Sequence, residues 1–512
     1  MPEQLLLGID VGTSGAKAVL ADANGRVVAT ATTGYPMATP RPLWAEQNPA
    51  DWWRASVESV RRVLRDAGSN AVAGVGLTGQ MHGLVLLDEA GEVLRPCIMW
   101  NDQRTAKQCA DLTARVGASR VLELTGNPIL PGFTAPKIAW VRENEPDVYR
   151  RIAHILLPKD YLRYKLTGAF HTEVADASGT ALLNVRERRW SPEMVAALDI
   201  SDRWLPECYE STVPSARVSM DGAAATGLAE GTPVAGGGGD QAAGAVGTGV
   251  VVDGVVSAAL GTSGVIFASS DRYRLEPEGR LHAFCHSVPN RWNLMGVVLS
   301  AAGSFRWFRD ALGQAEVAAA EASGADVYDL LTAQAAEVPA GSEGLLFLPY
   351  LTGERTPYPD PEARGVYFGL TLRHGKPHLI RAVLEGVAYA MRDSLELMHG
   401  LGLRISQVRA SGGGARSPLW RQILADVFES ELVLVNATDG AAYGAALLGG
   451  VGAGVFASVD EACERAIAVT ERVEPGPNAR IYADYYPIYR QLYPSLAPRF
   501  RDVSAVATRL GI

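Results

Sequence analysis

Apolar residues at the start of the chain come in short blocks broken by turn residues, which predicts strands. Leu5 to Asp10 is nearly all apolar, as a strand buried on both faces would be, and runs into the turn Gly12-Thr13-Ser14-Gly15. Ala16 to Ala21 returns, and Asn24-Gly25 signals a hairpin before Arg26 to Thr33. The period then changes. From Asp51 to Ala67, Trp53, Val57, Val60 and Leu64 recur at helical steps while Arg54, Glu58, Arg61 and Arg65 fill the other face. Val72 to Leu77 is again a short buried strand, ending in Thr78-Gly79-Gln80-Met81-His82-Gly83.

The same pattern returns in the second half. Val255 to Leu260 is apolar, Gly261-Thr262-Ser263-Gly264 repeats the first turn letter for letter, and Val265 to Ala268 follows. A long apolar stripe from Leu379 to Met398 predicts a helix, and Gln407 to Ala410 leads into Gly412-Gly413-Gly414. We therefore expect an α/β protein of two similarly built domains, 1–250 and 251–512, related by duplication, because a single long repeat is not the short period of a solenoid. At the C-terminus Tyr482, Tyr485, Tyr486, Tyr489 and Tyr493 recur at helical spacing. They predict a packed helix whose regularity Pro487 and Pro494 limit.

Composition narrows the function classes. The chain has 512 residues, 47% of them hydrophobic and 20% charged, enough to bury at least two cores. Lys and Arg number 47 against 56 Asp and Glu, a net charge of −9. Nucleic acid and anionic membranes are therefore not expected as partners, and any phosphate must be held locally. The least charged stretch, Ala242 to Ser270, is interrupted by Asp253 and several glycines and reads as two strands with turns, not as a membrane span. No basic segment followed by a long apolar run opens the chain, so no signal peptide is expected. Five scattered cysteines without a CxxC fit a reducing compartment, and the expected location is cytoplasmic.

Candidate chemistry lies where glycine and hydroxyl residues follow a strand. Such turns present several backbone N–H groups at one point, which can close on phosphate; each alone reads equally as a hairpin turn, but a matched pair could grip a polyphosphate across a cleft. Asp10 adds a carboxylate where Mg²⁺ needs a hard oxygen ligand, and Lys17 lies just beyond the turn, as a phosphate contact or a solvated strand-end lysine. Gly236-Gly237-Gly238-Gly239-Asp240-Gln241 ends a strand in open space and delivers an acid. Asp240 is either a helix N-cap or a base placed to take a proton from a hydroxyl. Gly412 to Gly414, with Arg416 and Ser417, form a further strand-to-helix loop suited to a flat or anionic ligand, or to a sharp turn. His282, Cys285 and His286 have metal-like spacing, yet a strand would point Cys285 away from both histidines. Gly375-Lys376 is followed by Pro377, so it is no Walker A motif.

The ordered runs GIDVGTSGAKAVL (Gly8 to Leu20), PLWAEQ (Pro42 to Gln47), GQMHG (Gly79 to Gly83) and MWNDQRT (Met99 to Thr105) continue in PGFTAPK (Pro131 to Lys137) and LLPKDYL (Leu156 to Leu162). GGGGDQAAGAVG (Gly236 to Gly247), LGTSGV (Leu260 to Val265), LPYLTGERTP (Leu348 to Pro357) and SGGGARS (Ser411 to Ser417) complete the series. Taken together they resemble the FGGY family of carbohydrate kinases over nearly the whole length. The resemblance implies two actin-like, ribonuclease-H-like domains with ATP and sugar in the cleft between them. It implies Asp240 as the general base and Asp10 as the residue organising Mg²⁺ and the transferring phosphoryl group. Thr13, Ser14, Gly261 and Thr262 would line the phosphates, and Gly413 and Gly414 the adenosine. Met81 and His82 match the family's substrate-binding pair, with Asp240 and Gln241 also touching the sugar; without the resemblance Met81 reads as core and His82 as a loop histidine. Some relatives carry Asn at the place of Gln241, which bears on sugar hydrogen bonding. Lacking the Arg-Glu pair of glycerol-specific members, the chain is expected to phosphorylate the 5-hydroxyl of a ketopentose, D-xylulose, with ribulose as the alternative. The rival class is an actin-fold ATPase without a sugar, which gives Met81, His82 and Asp240 no task. The sequence neither requires nor excludes a homodimer.

Overall fold

The computed structural model describes residues 4–437 and 440–510. In the first half β1 (Leu5–Val11), β2 (Gly15–Asp22) and β3 (Val27–Gly34) form an antiparallel meander, and β4 (Val72–Gly79) lies parallel to β1. Short strands β5 (Ala216–Arg217), β6 (Pro233–Val234) and β7 (Gly238–Gly239) complete the sheet. Its order is β5-β6-β4-β1-β2-β3, with β6 and β7 both parallel to β4 and β5 antiparallel at the edge.

The second half repeats this plan. Its strands are β8 (Val255–Leu260), β9 (Gly264–Ser270), β10 (His282–Cys285), β11 (Trp292–Val298), β12 (Gln407–Ser411), β13 (Leu432–Val435) and β14 (Val469–Val473). The order is β10-β11-β9-β8-β12-β13-β14: an antiparallel meander, two parallel strands and an antiparallel edge, with one extra strand, β10, outside the meander. The duplication expected from the repeated turn is thus carried by topology.

Helices cover the sheets in matching places. α1 (Pro49–Ala67) packs on β2 and β3. Its Asn48 side chain caps the start and Gly68, at φ 62°, ends it in the left-handed conformation that favours glycine. Its buried stripe includes Trp52, Ser56, Ser59, Val60, Val63 and Leu64; of the four apolar positions that spacing predicts, Val60 and Leu64 are buried whereas Trp53 and Val57 are only half-buried. The turn of the stripe has a polar cause: Ser59 Oγ donates to Ala16 O at 3.0 Å and bonds Thr33 Oγ1 at 3.0 Å, tying the helix to β2 and β3.

The remaining helices relevant to the site are α2 (Asp240–Gly247), α3 (Ala302–Leu312), α4 (Lys376–Gly400), α5 (Pro418–Phe428), α6 (Gly440–Gly452) and α7 (Ala479–Leu510). α4 packs on β9 and β11, as α1 does on β2 and β3. The stretch Ala242 to Ser270 is therefore a helix segment followed by two strands, not strands alone; small residues let α2 pack closely, which hydropathy does not reveal. α7 runs on through Pro487, Pro494 and Pro498. Tyrosine hydroxyls anchor it: Tyr482 to Glu385 at 2.9 Å, Tyr486 to Asp393 at 2.6 Å and Tyr493 to Asp360 at 2.6 Å. Among the described residues no helix is long and apolar enough to cross a membrane.

The halves interlock. α6 follows β13 in the second half yet lies against β1, β4 and α2 of the first. Leu6, Val19 and Ala21 share a core with Ala442, Leu447, Leu448 and Phe456. A second shared core joins Leu84, Ile98 and Phe133 to Phe267, Met295 and Val297.

Candidate active site

Three parallel strands of the first sheet end side by side, and their carboxyl ends are where open α/β sheets place ligands. Asp10 on β1 is in register with Thr78 on β4, which also pairs with Gly238 on β7. Two residues on, Asp240 begins α2. Gly239 occupies the N-cap position, so Asp240 is the first helical residue and its side chain does not cap the helix. That carboxylate is therefore free for other work, at a helix end whose dipole favours negative charge. Gln241 Nε2 bonds Asp240 Oδ1 at 3.3 Å.

Electrostatics link the two acids. Burial pushes the Asp10 carboxyl up to about 7; the like charge of Asp240 adds to this and Lys17, opposite Asp10 on β2, opposes it. Burial raises Asp240 to about 6, with side-chain and backbone hydrogen bonds at Gln241 pulling back. Asp10 Oδ1 is buried without a hydrogen-bond partner. A desolvated carboxylate oxygen with no donor fits a hard cation, whose remaining ligands would be phosphate and water. Among the described residues no group of three His, Cys, Asp or Glu side chains forms a metal cage.

The first glycine turn is braced from several motifs. Gln47 Nε2 donates to Thr13 O at 2.7 Å, and Gln47 Oε1 accepts from Trp52 Nε1 at 2.9 Å and Gln80 Nε2 at 3.0 Å. Tyr35 Oη donates to Gly12 O at 2.5 Å, and Trp100 Nε1 to Thr13 Oγ1 at 3.1 Å. Ser14 is exposed at the tip. Spacing alone did not single out Gln47, Gln80, Tyr35 and Trp100. The only signal for them was their place inside or near the family-like runs.

Met81 lies against Gly239, the residue before Asp240, and His82 follows it in the chain. A Cβ on Gly239 would come within 2.7 Å of Met81 Cγ, so that glycine is what lets Met81 close on the acid's strand. His82 has φ 70°, and Lys137 Nζ (2.8 Å) and Thr134 Oγ1 (3.1 Å) hold its carbonyl. Its Nδ1 lies 2.7 Å from Gly179 O. A carbonyl only accepts, so Nδ1 carries the proton and Nε2 is a lone-pair acceptor. Burial keeps the ring neutral, its pKa down to about 3, with the charges of Lys137 and Arg355 acting in the same direction and the bond to Gly179 opposing them.

The second cluster belongs to the other half. Gly261, Thr262, Gly413 and Gly414 line one cavity of about 550 Å³, which also takes in Phe305, Arg306, Tyr328 and Trp420. A side chain on Gly413 would point into open space, whereas one on Gly414 would strike Leu260 and Trp420 at 2.9 Å. The first glycine thus keeps the cavity open and the second lets its wall close. The Gly261 turn is closed by Gly261 N–H to Ser263 O at 3.0 Å, the Gly12 turn by Gly12 N–H to Gly15 O at 3.1 Å. Identical letters fold into slightly different turns. Phe305, Arg306 and Tyr328 gave no sequence signal, because they sit on two helices whose residues spread over core and cavity alike.

His282, Cys285 and His286 do not converge. His282 Nδ1 bonds Asn127 Oδ1 at 2.8 Å, Cys285 Sγ bonds Val185 O at 3.4 Å and His286 Nε2 bonds Val250 O at 3.0 Å. Lys376 starts α4, where its Nζ pairs with Glu316 at 3.0 Å.

Comparison with known proteins bears on this geometry. Family models for the FGGY carbohydrate kinases match twice, the N-terminal domain over residues 5–247 and the C-terminal domain over 256–453. A xylulose kinase of Escherichia coli is 43% identical over 96% of this chain and 99% of its own. Two solved structures align over 97% of this chain and all of theirs. One is a xylulose kinase from Rhodospirillum rubrum, with TM-score 0.90 and 32% identity. The other, from Brucella ovis and described as a xyloylose kinase, has TM-score 0.89 and 38% identity. Both domain models, a duplicated sheet plan and full-length likeness agree: the chain belongs to the FGGY family of carbohydrate kinases.

Proposed function

We propose that this protein transfers the γ-phosphoryl group of Mg-ATP to the 5-hydroxyl of D-xylulose, giving D-xylulose 5-phosphate and ADP. The observation that carries the reading is Asp240, half-buried at the start of α2, beside Asp10 on one side and Met81 on the other. A carboxylate raised to about 6 is still mostly ionised at neutral pH and is basic enough to accept a hydroxyl proton as the nucleophile forms. The sugar oxygen bonds to the γ-phosphorus, the bond to the bridging oxygen of ADP breaks, and the proton rests on Asp240 until product leaves.

In this reading residues 1–250 hold the sugar and the catalytic acid, and 251–512 hold the nucleotide. Met81, His82, Asp240 and Gln241 contact the ketopentose. Gly413 and Gly414 border the adenosine, and Gly261 and Thr262 lead from it to the phosphates. Thr13, Ser14 and Lys17 meet those phosphates from the first half. Asp10 would hold Mg²⁺, which when bound would supply positive charge against the charge developing on the transferring group. Closure of the halves excludes water that would otherwise hydrolyse ATP.

Asp240→Ala is expected to lower ketose-dependent ADP release by at least a thousandfold while leaving nucleotide affinity within about threefold. Turnover within tenfold of the parent would remove Asp240 from the base role. A panel of ketopentoses should show the highest kcat/KM for D-xylulose, with D-ribulose lower. The two epimers differ in one hydroxyl direction, and a mismatched polar contact costs about 1–3 kcal/mol.

A further inference from the structure

A second wall of the sugar site comes from the opposite half. Four rings form one tier: His82 stacks on Phe133 with centroids 4.6 Å apart, Phe284 lies 6.3 Å from both, and His282 stacks on Phe284 at 5.6 Å. His82 and Phe133 belong to the first half, His282 and Phe284 to β10. Asn127 fixes the second imidazole. Its amide nitrogen donates to Thr125 O and Ala283 O, both at 2.9 Å, leaving its oxygen to accept from His282 Nδ1–H. Both imidazoles therefore carry their proton on Nδ1 and offer Nε2 as an acceptor. Asp240 is an acceptor too when ionised, so His82, His282 and Asp240 offer acceptors to a polyol's hydroxyl protons, and the one side-chain donor among the assigned contacts, Gln241 Nε2, sits at the Asp240 end.

A donor stands on a loop bonded to the strands of the second-half rings. Arg355 lies on the loop after Leu348, held to the same strands. Thr356 N–H donates to Val297 O and Thr356 Oγ1 accepts from Val297 N–H, both at 3.1 Å, and the hydroxyl donates to Arg280 O at 3.0 Å. Val297 is two residues past Met295, the strand partner of His282, and Arg280 is two residues before His282. Buried Glu354 sets the loop from behind, its Oε1 accepting from Leu299 N–H at 2.9 Å and Arg355 N–H at 2.7 Å. The Arg355 side chain itself is exposed and, among the described residues, makes no ion pair or hydrogen bond. Its charge bears on both His82 and His282.

We propose that Arg355 is a substrate-binding residue supplied by the second half, donating hydrogen bonds to oxygens at the end of the ketopentose remote from Asp240. This rests on the sugar-kinase reading, with the reacting hydroxyl at Asp240 and the rest of the sugar running past Met81 to the ring tier. A guanidinium has up to five N–H donors and no acceptor, which complements two imidazole acceptors around a molecule whose hydroxyls both give and take. Since Arg355 and Met81 stand on different halves, one sugar spans both and draws the cleft shut.

The test compares Arg355→Gln and Arg355→Lys with the parent in steady-state assays against D-xylulose and its monodeoxy analogues. Arg355→Gln should raise the KM for the ketopentose at least tenfold while the KM for ATP and the sugar-independent ATP hydrolysis rate stay within threefold. At least one deoxy analogue, poorer than D-xylulose for the parent, should lose that disadvantage in Arg355→Gln, and Arg355→Lys should recover part of it. A purely structural role would leave the analogue ranking unchanged. An unchanged ketose KM, an equal rise in the ATP KM, or an unaltered ranking overturns the assignment. Asp240→Ala run alongside separates the two ideas: if it is inactive and Arg355→Gln behaves as parent, only Arg355 is lost, whereas a fully active Asp240→Ala removes Asp240 from the base role and with it the sugar orientation assumed here.

Discussion

Burial raises the carboxyls of Asp10 and Asp240, and each carries its own expectation for pH dependence. A base with a pKa of about 6 works only when ionised, so kcat/KM for the ketose should fall about tenfold per pH unit below about 6. Stability should respond in the opposite sense. Asp10, raised to about 7 in the folded chain against an ordinary 3.8, binds its proton more tightly folded than unfolded. Between about pH 4 and 7 the folded state therefore holds more of a proton at this carboxyl, and the contribution of Asp10 to stability declines as pH rises, levelling above 7. Each unit of displacement is about 1.4 kcal/mol, so Asp10→Asn should make the ligand-free protein melt higher at pH 7.5 and flatten that decline. An identical pH–Tm curve for variant and parent would show that the Asp10 carboxylate is not the strained group described. Both acids could be singled out in the sequence because each follows a strand beside glycines. That they share a field could not, since 230 positions separate them and only the parallel register of β1, β4 and β7 brings them together.

At the level of elements, the crossing of α2 and α6 decides how the catalytic acid is held. A Cβ on Gly444 would lie 1.8 Å from Ala243 O, and one on Gly247 2.4 Å from Gly440 O, so the two backbones touch. α6 meets the sheet as closely, with Gly8 facing Ala442 O and Gly76 facing Ala445 O at 1.8 Å. No side chain there can swing aside, because the obstacle is backbone. Gly444→Ala should cost about 1–3 kcal/mol in urea unfolding and also lower kcat, since α2 carries Asp240 on its first turn. An unchanged unfolding midpoint would mean the helices have room to separate. These small-residue segments have weak periodicity, so the glycines and the acid at Asp240 signal where a helix starts but hydropathy does not show how far α2 runs. The long amphipathic α1 and α4 were legible from spacing, though only the bonds of Ser59 to Ala16 and Thr33 reveal where the α1 stripe is centred.

For the whole molecule, the sequence shows a duplication, but the structure is not two separable copies. The face of the first sheet that carries Leu6, Val19 and Ala21 is covered by α6 and by Val459–Ala466, all from the second half, and Tyr443 Oη reaches back to Gly25 O at 2.7 Å. Residues 1–250 alone should therefore be insoluble or melt without cooperativity, and co-expression with 251–512 should restore a single transition in calorimetry. A soluble, cooperatively folding 1–250 fragment would show that this cover is dispensable.

By itself the sequence determined the fold class, the repeat and the family, and it offered most of the residues proposed for the two ligands, because strands, glycine turns and the acids beside them are local patterns. Tertiary structure decided which of these meet. It gathered Asp10, Met81 and Asp240 at the ends of three parallel strands, grouped Thr262 and Gly413 with Phe305, Arg306 and Tyr328 around one cavity, and tied the loop of Arg355 to β11, beside the strand that carries His282 and Phe284. Those encounters depend on strand register and on backbone contact between helices far apart in the chain. Such distances leave no mark on residue spacing.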